Sequence, residues 1–227
     1  MGIHVDANLP GIAQGHLLVA NHISWLDVFV LNATRPMAFV AKAEVRHWPV
    51  IGWLAAKTDT VFLQRGRRCH AREINARIAS LLAVGKDVAI FPEGTTTDGS
   101  TVLAFFGALM QPAIDSRRAI HPVSISYFDE TGKPSQAPVY AGDTTMMECL
   151  AAIIATPRIT ARLNQTPPIT PNGLATRRTL AGMARGAIAF SLGISLNDMA
   201  MLRHDPADAS SPETESPLHC GDMREEA

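Results

Sequence analysis

Long hydrophobic runs are absent from this sequence. No window of about 18 or more residues is uninterruptedly apolar, so no transmembrane helix is predicted. Residues 1–15 also lack the basic stretch followed by an apolar one that marks a secretory signal peptide. Any contact with a membrane is therefore expected to be interfacial.

Cysteine is scarce, and its three positions have no spacing typical of a metal site. This odd number indicates free thiols in a reducing compartment. No cluster of histidine, cysteine and carboxylate residues occurs at ligand spacing, so neither a metal nor a redox cofactor is expected. A G-x-S-x-G motif is also missing, which leaves a serine hydrolase unsupported.

Charge is sparse but unevenly distributed. The net charge is -1, yet residues 35–86 hold ten basic and three acidic residues. Such a local surplus favours phosphate groups or an anionic membrane surface as partners, although a solvated basic face would have the same composition. Nucleic acid is not among the expected partners.

The chain of 227 residues is predicted to form one domain over residues 1–203. Residues 204–227 are rich in Pro, Ser, Asp and Glu and are expected to be a disordered acidic tail.

Apolar and amphipathic stretches alternate along residues 1–203. Such alternation predicts an α/β domain, with a mostly parallel central sheet flanked by helices. The predicted strands are 17–20, 37–40, 60–63, 87–91, 119–127 and 159–163. One predicted helix begins at Ser24. Three others cover 67–84, 146–155 and 177–189, and a short or broken helix is predicted within 45–56.

Polar residues follow several of these strands at their carboxyl ends, where open α/β sheets bind ligands. His22 follows the first strand, and Asp27 lies five residues later. A carboxylate that fixes the imidazole tautomer makes histidine a good general base. The two side chains can meet only if His22 lies in the loop before the helix and folds back onto its first turn.

A second interpretation of the same residues is structural. Ser24 and Asp27 form a capping-box pattern, in which Asp27 would accept a hydrogen bond from the Ser24 backbone N–H. The sequence alone leaves both interpretations open.

Two further strand ends carry candidate binding residues. Pro92 ends a strand, Gly94 permits a positive φ, and Thr95 offers a hydroxyl and a backbone N–H, which suits an anion-binding turn. Arg65 ends another strand and could grip a phosphate bidentately. The alternatives are a plain turn and a solvated basic patch.

Four segments in order resemble the motifs of the glycerolipid acyltransferases, the 1-acylglycerol-3-phosphate acyltransferase group. The resemblance extends over about residues 11–192. The segment 21–27 resembles the NHxxxxD motif, 62–65 the FxxR motif, 91–95 the FPEGT motif, and 120–123 a short apolar-Pro-Val element.

The resemblance implies a role for each residue. His22 would take a proton from the hydroxyl of a lysolipid, which attacks the thioester carbonyl of acyl-CoA or acyl carrier protein, and Asp27 would orient His22. Backbone N–H groups near His22 would be the oxyanion donors. The resemblance implies that the head group of the acceptor is held by Arg65, Glu93, Gly94, Thr95 and Lys42.

Two departures from the family pattern concern the acceptor. Thr96 stands where many members have Arg, and Phe106 stands where many have Lys. These lost cations weaken the case for a phosphate acceptor, and the segments 93–99 and 40–45 look more like those of bacterial lyso-ornithine lipid acyltransferases. A non-catalytic lipid-binding module on the same fold is a further alternative.

The expected membrane contact is the segment 47–54, which has two tryptophans among aliphatic residues. Both tryptophans could instead belong to the core. We expect a location at the cytoplasmic face of the inner membrane. Attachment would be peripheral, or through an anchor if a native N-terminal helix is missing from this chain.

Overall fold

The computed structural model describes residues 2–9, 15–42, 60–63 and 68–195. The strands are β1 Gly2–Asn8, β2 Leu17–Ala20, β3 Ala38–Lys42, β4 Val61–Leu63, β5 Val88–Ile90, β6 Ile120–Phe128 and β7 Arg158–Gln165. The helices are α1 Leu26–Thr34, α2 Arg68–Ala83, α3 Gln111–Ser116, α4 Met146–Ala155 and α5 Arg177–Ser191, with a 3-10 turn at Gly107–Met110 before α3. None of the helices in the described ranges is long and apolar enough to cross a bilayer.

The seven strands form one sheet in the order β1-β7-β6-β2-β5-β3-β4. Neighbouring strands run parallel, except that β6 and β7 are antiparallel. The predicted α/β architecture with a mostly parallel sheet is therefore confirmed.

Strand β2 lies inside the sheet and is apolar on both faces, as expected for a strand covered by helices on each side. Leu17 and Val19 point into one core cluster, where helices α2 and α5 supply the facing side chains. Leu18 and Ala20 point into the other, which contains residues of α1 and α4. Since β2 is anchored on both faces, the residues that follow it leave from a fixed position.

Two elements were not predicted. Strand β1 is an exposed edge strand without a clear apolar alternation, and it forms by parallel pairing with β7. Helix α3 and the 3-10 turn before it have no strong periodic signal.

The fourth motif, at 120–123, forms the start of β6 and pairs with β2. The tryptophan segment 47–54 and the tail 204–227 lie outside the described residues.

The amino ends of β2 and β5 are tied together by Asp87. Its Oδ1 accepts hydrogen bonds from the backbone N–H groups of Gly15 and His16, at 3.0 and 3.1 Å. Arg35, just after α1, forms a salt bridge with its Oδ2. Gly15 has φ +83°, and a Cβ built there would lie 2.7 Å from the carbonyl oxygen of Leu82. The turn into the central strand therefore requires glycine.

We expect Gly15→Ala to lower the free energy of unfolding by about 2 kcal/mol or more, because it adds a backbone clash to an unfavourable φ. Gly182→Ala is the matched control, since Gly182 is an exposed residue of α5 with nothing within 4 Å of its added Cβ. It should instead stabilise the protein by up to about 1 kcal/mol. Urea denaturation checks both, and equal effects would contradict this account of Gly15.

Candidate active site

His22 and Asp27 meet as the first interpretation requires. His22 follows β2 in the loop before α1, and its Nδ1 lies 2.8 Å from Asp27 Oδ2. The His22 side chain is 20% exposed, whereas that of Asp27 is fully buried. A carboxylate at Nδ1 favours the tautomer with its proton there, which leaves the Nε2 lone pair available to accept a proton.

Asp27 also makes the contact with the Ser24 N–H that the structural interpretation expects, although the N-cap of the helix is Trp25 and has no side-chain cap hydrogen bond. Its Oδ2 accepts hydrogen bonds from the backbone N–H groups of Ile23 and Ser24, at 2.8 and 3.0 Å. The helix begins at Leu26, later than predicted from Ser24. Ser24 nevertheless accepts a hydrogen bond from the Leu26 N–H through its Oγ, at 3.2 Å. The same carboxylate thus orients the imidazole and shapes the loop that carries it.

The loop after β5 holds His22 at three further points. The His22 N–H donates to Glu93 Oε1 at 2.8 Å, and the His22 carbonyl accepts from the Thr97 N–H at 2.8 Å. The imidazole stacks on the Phe91 ring, with 4.1 Å between centroids and 15° between planes. The first and third motifs therefore converge on one residue, because β2 and β5 are parallel neighbours that end at the same edge.

Glu93 is buried, and both of its oxygens accept hydrogen bonds from backbone groups. Besides the His22 N–H at Oε1, the Leu103 N–H donates to Oε2 at 2.8 Å. Burial raises the pKa of Glu93 to about 7, against the opposing effect of these two hydrogen bonds. In this structure its carboxylate fixes two loop segments, and its predicted contact with the acceptor stays a prediction.

Gly94 and Thr95 form the turn after Glu93. Gly94 has φ 71°, as expected from its position, and its N–H donates to the Phe91 carbonyl at 3.1 Å. Thr95 is exposed beside this turn. The pair follows Glu93, which bonds the His22 backbone, and its predicted binding of a head group stays a prediction.

Of the two basic candidates, Lys42 and Arg65, only Lys42 lies within the described residues. Lys42 is the last residue of β3, and β3 runs parallel to β5, so Lys42 ends at the same edge of the sheet as the loop of Glu93. Arg65 lies outside the described residues. Both remain predicted binding residues.

The expected oxyanion donors nearest to His22 are already engaged. The N–H groups of His22, Ile23 and Ser24 all donate to the buried carboxylates of Asp27 and Glu93. These three groups therefore do not serve as the oxyanion donors in this arrangement, because a single N–H cannot satisfy two strong acceptors well.

Sequence reasoning missed two contacts that support the site. Asn21 donates to the Ile125 carbonyl at 3.0 Å and accepts from the Ile125 N–H at 2.8 Å, which fixes the end of β2 against β6. The Tyr127 hydroxyl donates to Asp27 Oδ1 at 2.7 Å. Asn21 lies in the first motif, but Tyr127 is a hundred positions from Asp27, and no local pattern marks it.

No three His, Cys, Asp or Glu side chains lie close enough together to bind a metal in the part of the chain that the structure describes. The expectation of no cofactor stays a prediction. The fold and the site define an α/β protein with a carboxylate-supported histidine at the carboxyl edge of a parallel sheet.

The chain belongs to the acyltransferase family, whose model, described as Acyltransferase, matches residues 3–126. A lyso-ornithine lipid O-acyltransferase of Pseudomonas aeruginosa is 41% identical over 190 residues, which cover 84% of this chain and 72% of that protein. A 1-acyl-sn-glycerol-3-phosphate acyltransferase of Neisseria meningitidis serogroup B is 38% identical over 164 residues, covering 72% of this chain and 64% of that protein.

A solved structure supports the fold. The 1-acyl-sn-glycerophosphate acyltransferase PlsC from Thermotoga maritima matches with a TM-score of 0.59 and 24% identity, covering 84% of this chain and 71% of that one. The family resemblance and the α/β fold expected from the motifs are both confirmed. The chain spans about two-thirds of the length of these relatives.

We expect Glu93 to make the stability of the site loop depend on pH. Its pKa of about 7 in the folded state exceeds the ordinary 4.5, so its contribution is most favourable below pH 4.5 and is lost as the pH rises through 7. Relative to Glu93→Gln, the wild type should lose on the order of 3 kcal/mol of unfolding free energy between about pH 4 and pH 8. Urea denaturation across this range measures the difference.

Glu148→Gln is the control with the opposite sign. Glu148 is an exposed capping-box residue of α4, where hydrogen bonds from Thr145 lower its pKa. Its contribution is present above the unfolded pKa and is lost as the pH falls. A Glu93 difference that is flat, or that has the sign of the control, would contradict the role of burial.

Proposed function

We propose that this chain transfers a fatty acyl group from a thioester donor to the hydroxyl of a lysolipid, with His22 as the general base and Asp27 as its orienting carboxylate. The observation that carries the proposal is the 2.8 Å contact at His22 Nδ1, which leaves the Nε2 lone pair available on a histidine that is still 20% exposed.

The reaction follows from this geometry. His22 Nε2 removes the proton from the acceptor hydroxyl while the oxygen attacks the thioester carbonyl. The tetrahedral intermediate then collapses, the C–S bond breaks, and the thiolate leaves with the proton that His22 carries. Because Asp27 is fully buried and stays at Nδ1, it stabilises the imidazolium that exists between the two proton transfers.

The leading acceptor is 1-acylglycerol-3-phosphate. It is supported by the FPEGT turn, in which Thr95 is exposed, by Lys42 at the same edge of the sheet, and by the basic surplus of residues 35–86. The name of the Neisseria relative agrees with this acceptor. Arg65 and Glu93 complete the proposed head-group site.

The second candidate acceptor is a lyso-ornithine lipid. It is favoured by the side chains that replace the family's cations: Thr96 is half-buried beside the turn, and Phe106 is 59% exposed. The Phe106 N–H donates to the Pro92 carbonyl at 2.9 Å, so this apolar side chain lies next to the Glu93 loop. The name of the Pseudomonas relative agrees with this acceptor.

The proposed partners follow from the chemistry. The donor is acyl-CoA or acyl carrier protein, and no metal or redox cofactor takes part. Because the acceptor is a lipid, the chain would work at a membrane surface, and because the donors are cytoplasmic thioesters, that surface would be the cytoplasmic face of the inner membrane. The tryptophan segment 47–54 is the proposed contact, attached peripherally or beside a native anchor.

We expect His22→Ala to reduce acyl transfer by at least about a hundredfold, the usual loss when a general base is removed. The assay measures thiol release from acyl-CoA with each of the two lysolipids. His4→Ala is the matched control, because His4 is exposed on the edge strand β1 and should leave the rate unchanged. Near-normal turnover by the His22 variant would refute the mechanism.

We expect Phe106→Lys to separate the two acceptors. An added cation beside the Glu93 loop should raise kcat/KM for 1-acylglycerol-3-phosphate by roughly three- to tenfold, the effect of one partly exposed charged contact. It should leave the value for the lyso-ornithine lipid, which lacks the phosphate, little changed.

Phe190→Lys makes the same substitution at an exposed phenylalanine of α5, which is 85% exposed, and controls for general charge. A wild type that strongly prefers the lyso-ornithine lipid would reject the leading acceptor. Equal gains for both lysolipids, or with Phe190→Lys, would show that Phe106 does not face the head group.

A further inference from the structure

Tyr127 reaches the site from strand β6, whereas His22 and Asp27 belong to the loop and helix that follow β2. It lies near the end of β6, is buried, and donates its hydroxyl proton to Asp27 Oδ1 at 2.7 Å. Asp27 Oδ2 receives the His22 imidazole and two backbone N–H groups. The two carboxylate oxygens are thus held from different parts of the fold, one by the local loop and the other by the sheet.

We propose that Tyr127 is a positioning residue for catalysis, which acts through Asp27 to hold the His22 imidazole in its reactive orientation. This inference rests on the proposed function. A carboxylate with donors at one oxygen alone can pivot about its last bond, whereas a donor at each oxygen fixes its plane. Since His22 Nδ1 bonds to that carboxylate, a fixed plane also limits the orientation of the imidazole.

The position of Tyr127 is itself well determined. Ile125, two residues earlier and on the same side of β6, is bound through its backbone by the Asn21 side chain. Tyr127 also pairs with Ala161 of β7. The position of Tyr127 is therefore set by the pairing of β6 with β7 and by its link to the end of β2.

The protonation state of Tyr127 suits a permanent donor. Burial, together with the neighbouring charge of Asp27, raises its pKa well above the usual value. The hydroxyl therefore keeps its proton over the whole range in which an acyltransferase would be assayed.

The test is Tyr127→Phe, which removes the hydroxyl and keeps the ring. We expect kcat to fall roughly tenfold with KM unchanged within about twofold, because the base is less well oriented. Tyr140→Phe alters the only other tyrosine of the chain, which packs against the same core, and should change neither quantity.

A double-mutant cycle with Asp27→Asn separates positioning from a general structural effect. If Tyr127 acts through Asp27, its substitution should cost far less in the Asp27→Asn background than in the wild type. The inference is overturned if Tyr127→Phe keeps kcat while it lowers only the melting temperature, or if its loss of activity is the same in both backgrounds.

A readout that needs no activity distinguishes failure of this inference from failure of the proposed function. Nitrogen NMR of the His22 imidazole should show the proton mainly on Nδ1 in the wild type, and a larger share on Nε2 in Tyr127→Phe. An unchanged tautomer ratio refutes the positioning role, even if no lysolipid tested is acylated. Acylation that survives His22→Ala refutes the proposed function instead.

If Tyr127→Phe does not fold, 3-fluorotyrosine incorporated into the Tyr140→Phe variant replaces Tyr127 alone and keeps the hydroxyl. Because the donor to Asp27 Oδ1 is retained, kcat should stay within about twofold of that of Tyr140→Phe. A loss of kcat of about tenfold with the hydroxyl in place would overturn the inference.

Discussion

The site depends on one buried carboxylate and the donors that satisfy it. Asp27 is fully buried, and an unpaired charge there would cost several kcal/mol. It instead receives four donors: the His22 imidazole, two loop N–H groups and the Tyr127 hydroxyl. These donors satisfy the charge because the loop after β2 folds back onto α1, and that fold places the imidazole of the proposed general base against the carboxylate.

Glu93 is a second buried carboxylate whose oxygens are satisfied by backbone donors. Glu93 joins the backbone of His22 to that of Leu103, so the loops after β2 and β5 are tied together. The imidazole contacts Asp27 at one nitrogen and Phe91 at its face, and the backbone carbonyl of His22 is bound by the Thr97 N–H. Several motif residues that could be assigned to substrate binding therefore also have a structural task, namely to hold the base in place.

This rigid centre contrasts with the side chains that bear on acceptor choice. The residues around the base are buried and hydrogen-bonded, whereas Thr95 and Phe106 are exposed and can change without disturbing them. Acyl transfer to an alcohol requires the same base whichever head group the lipid carries. Relatives that are named for different acceptors can for that reason share one centre and differ at its rim.

The sequence by itself determined the reaction centre and the layered architecture. Strand and helix periodicity are local properties, and the spacing of His22, Asp27 and Glu93 relative to strand ends places them at one edge of a parallel sheet. It left open whether Asp27 bonds the loop backbone or the His22 imidazole, and only the tertiary structure showed that Asp27 Oδ2 does both. Tertiary structure alone also supplied strand β1 and the Tyr127 contact. The pairing of an edge strand, and a hydrogen bond between residues a hundred positions apart, depend on how the strands assemble. A local sequence pattern cannot predict such long-range contacts.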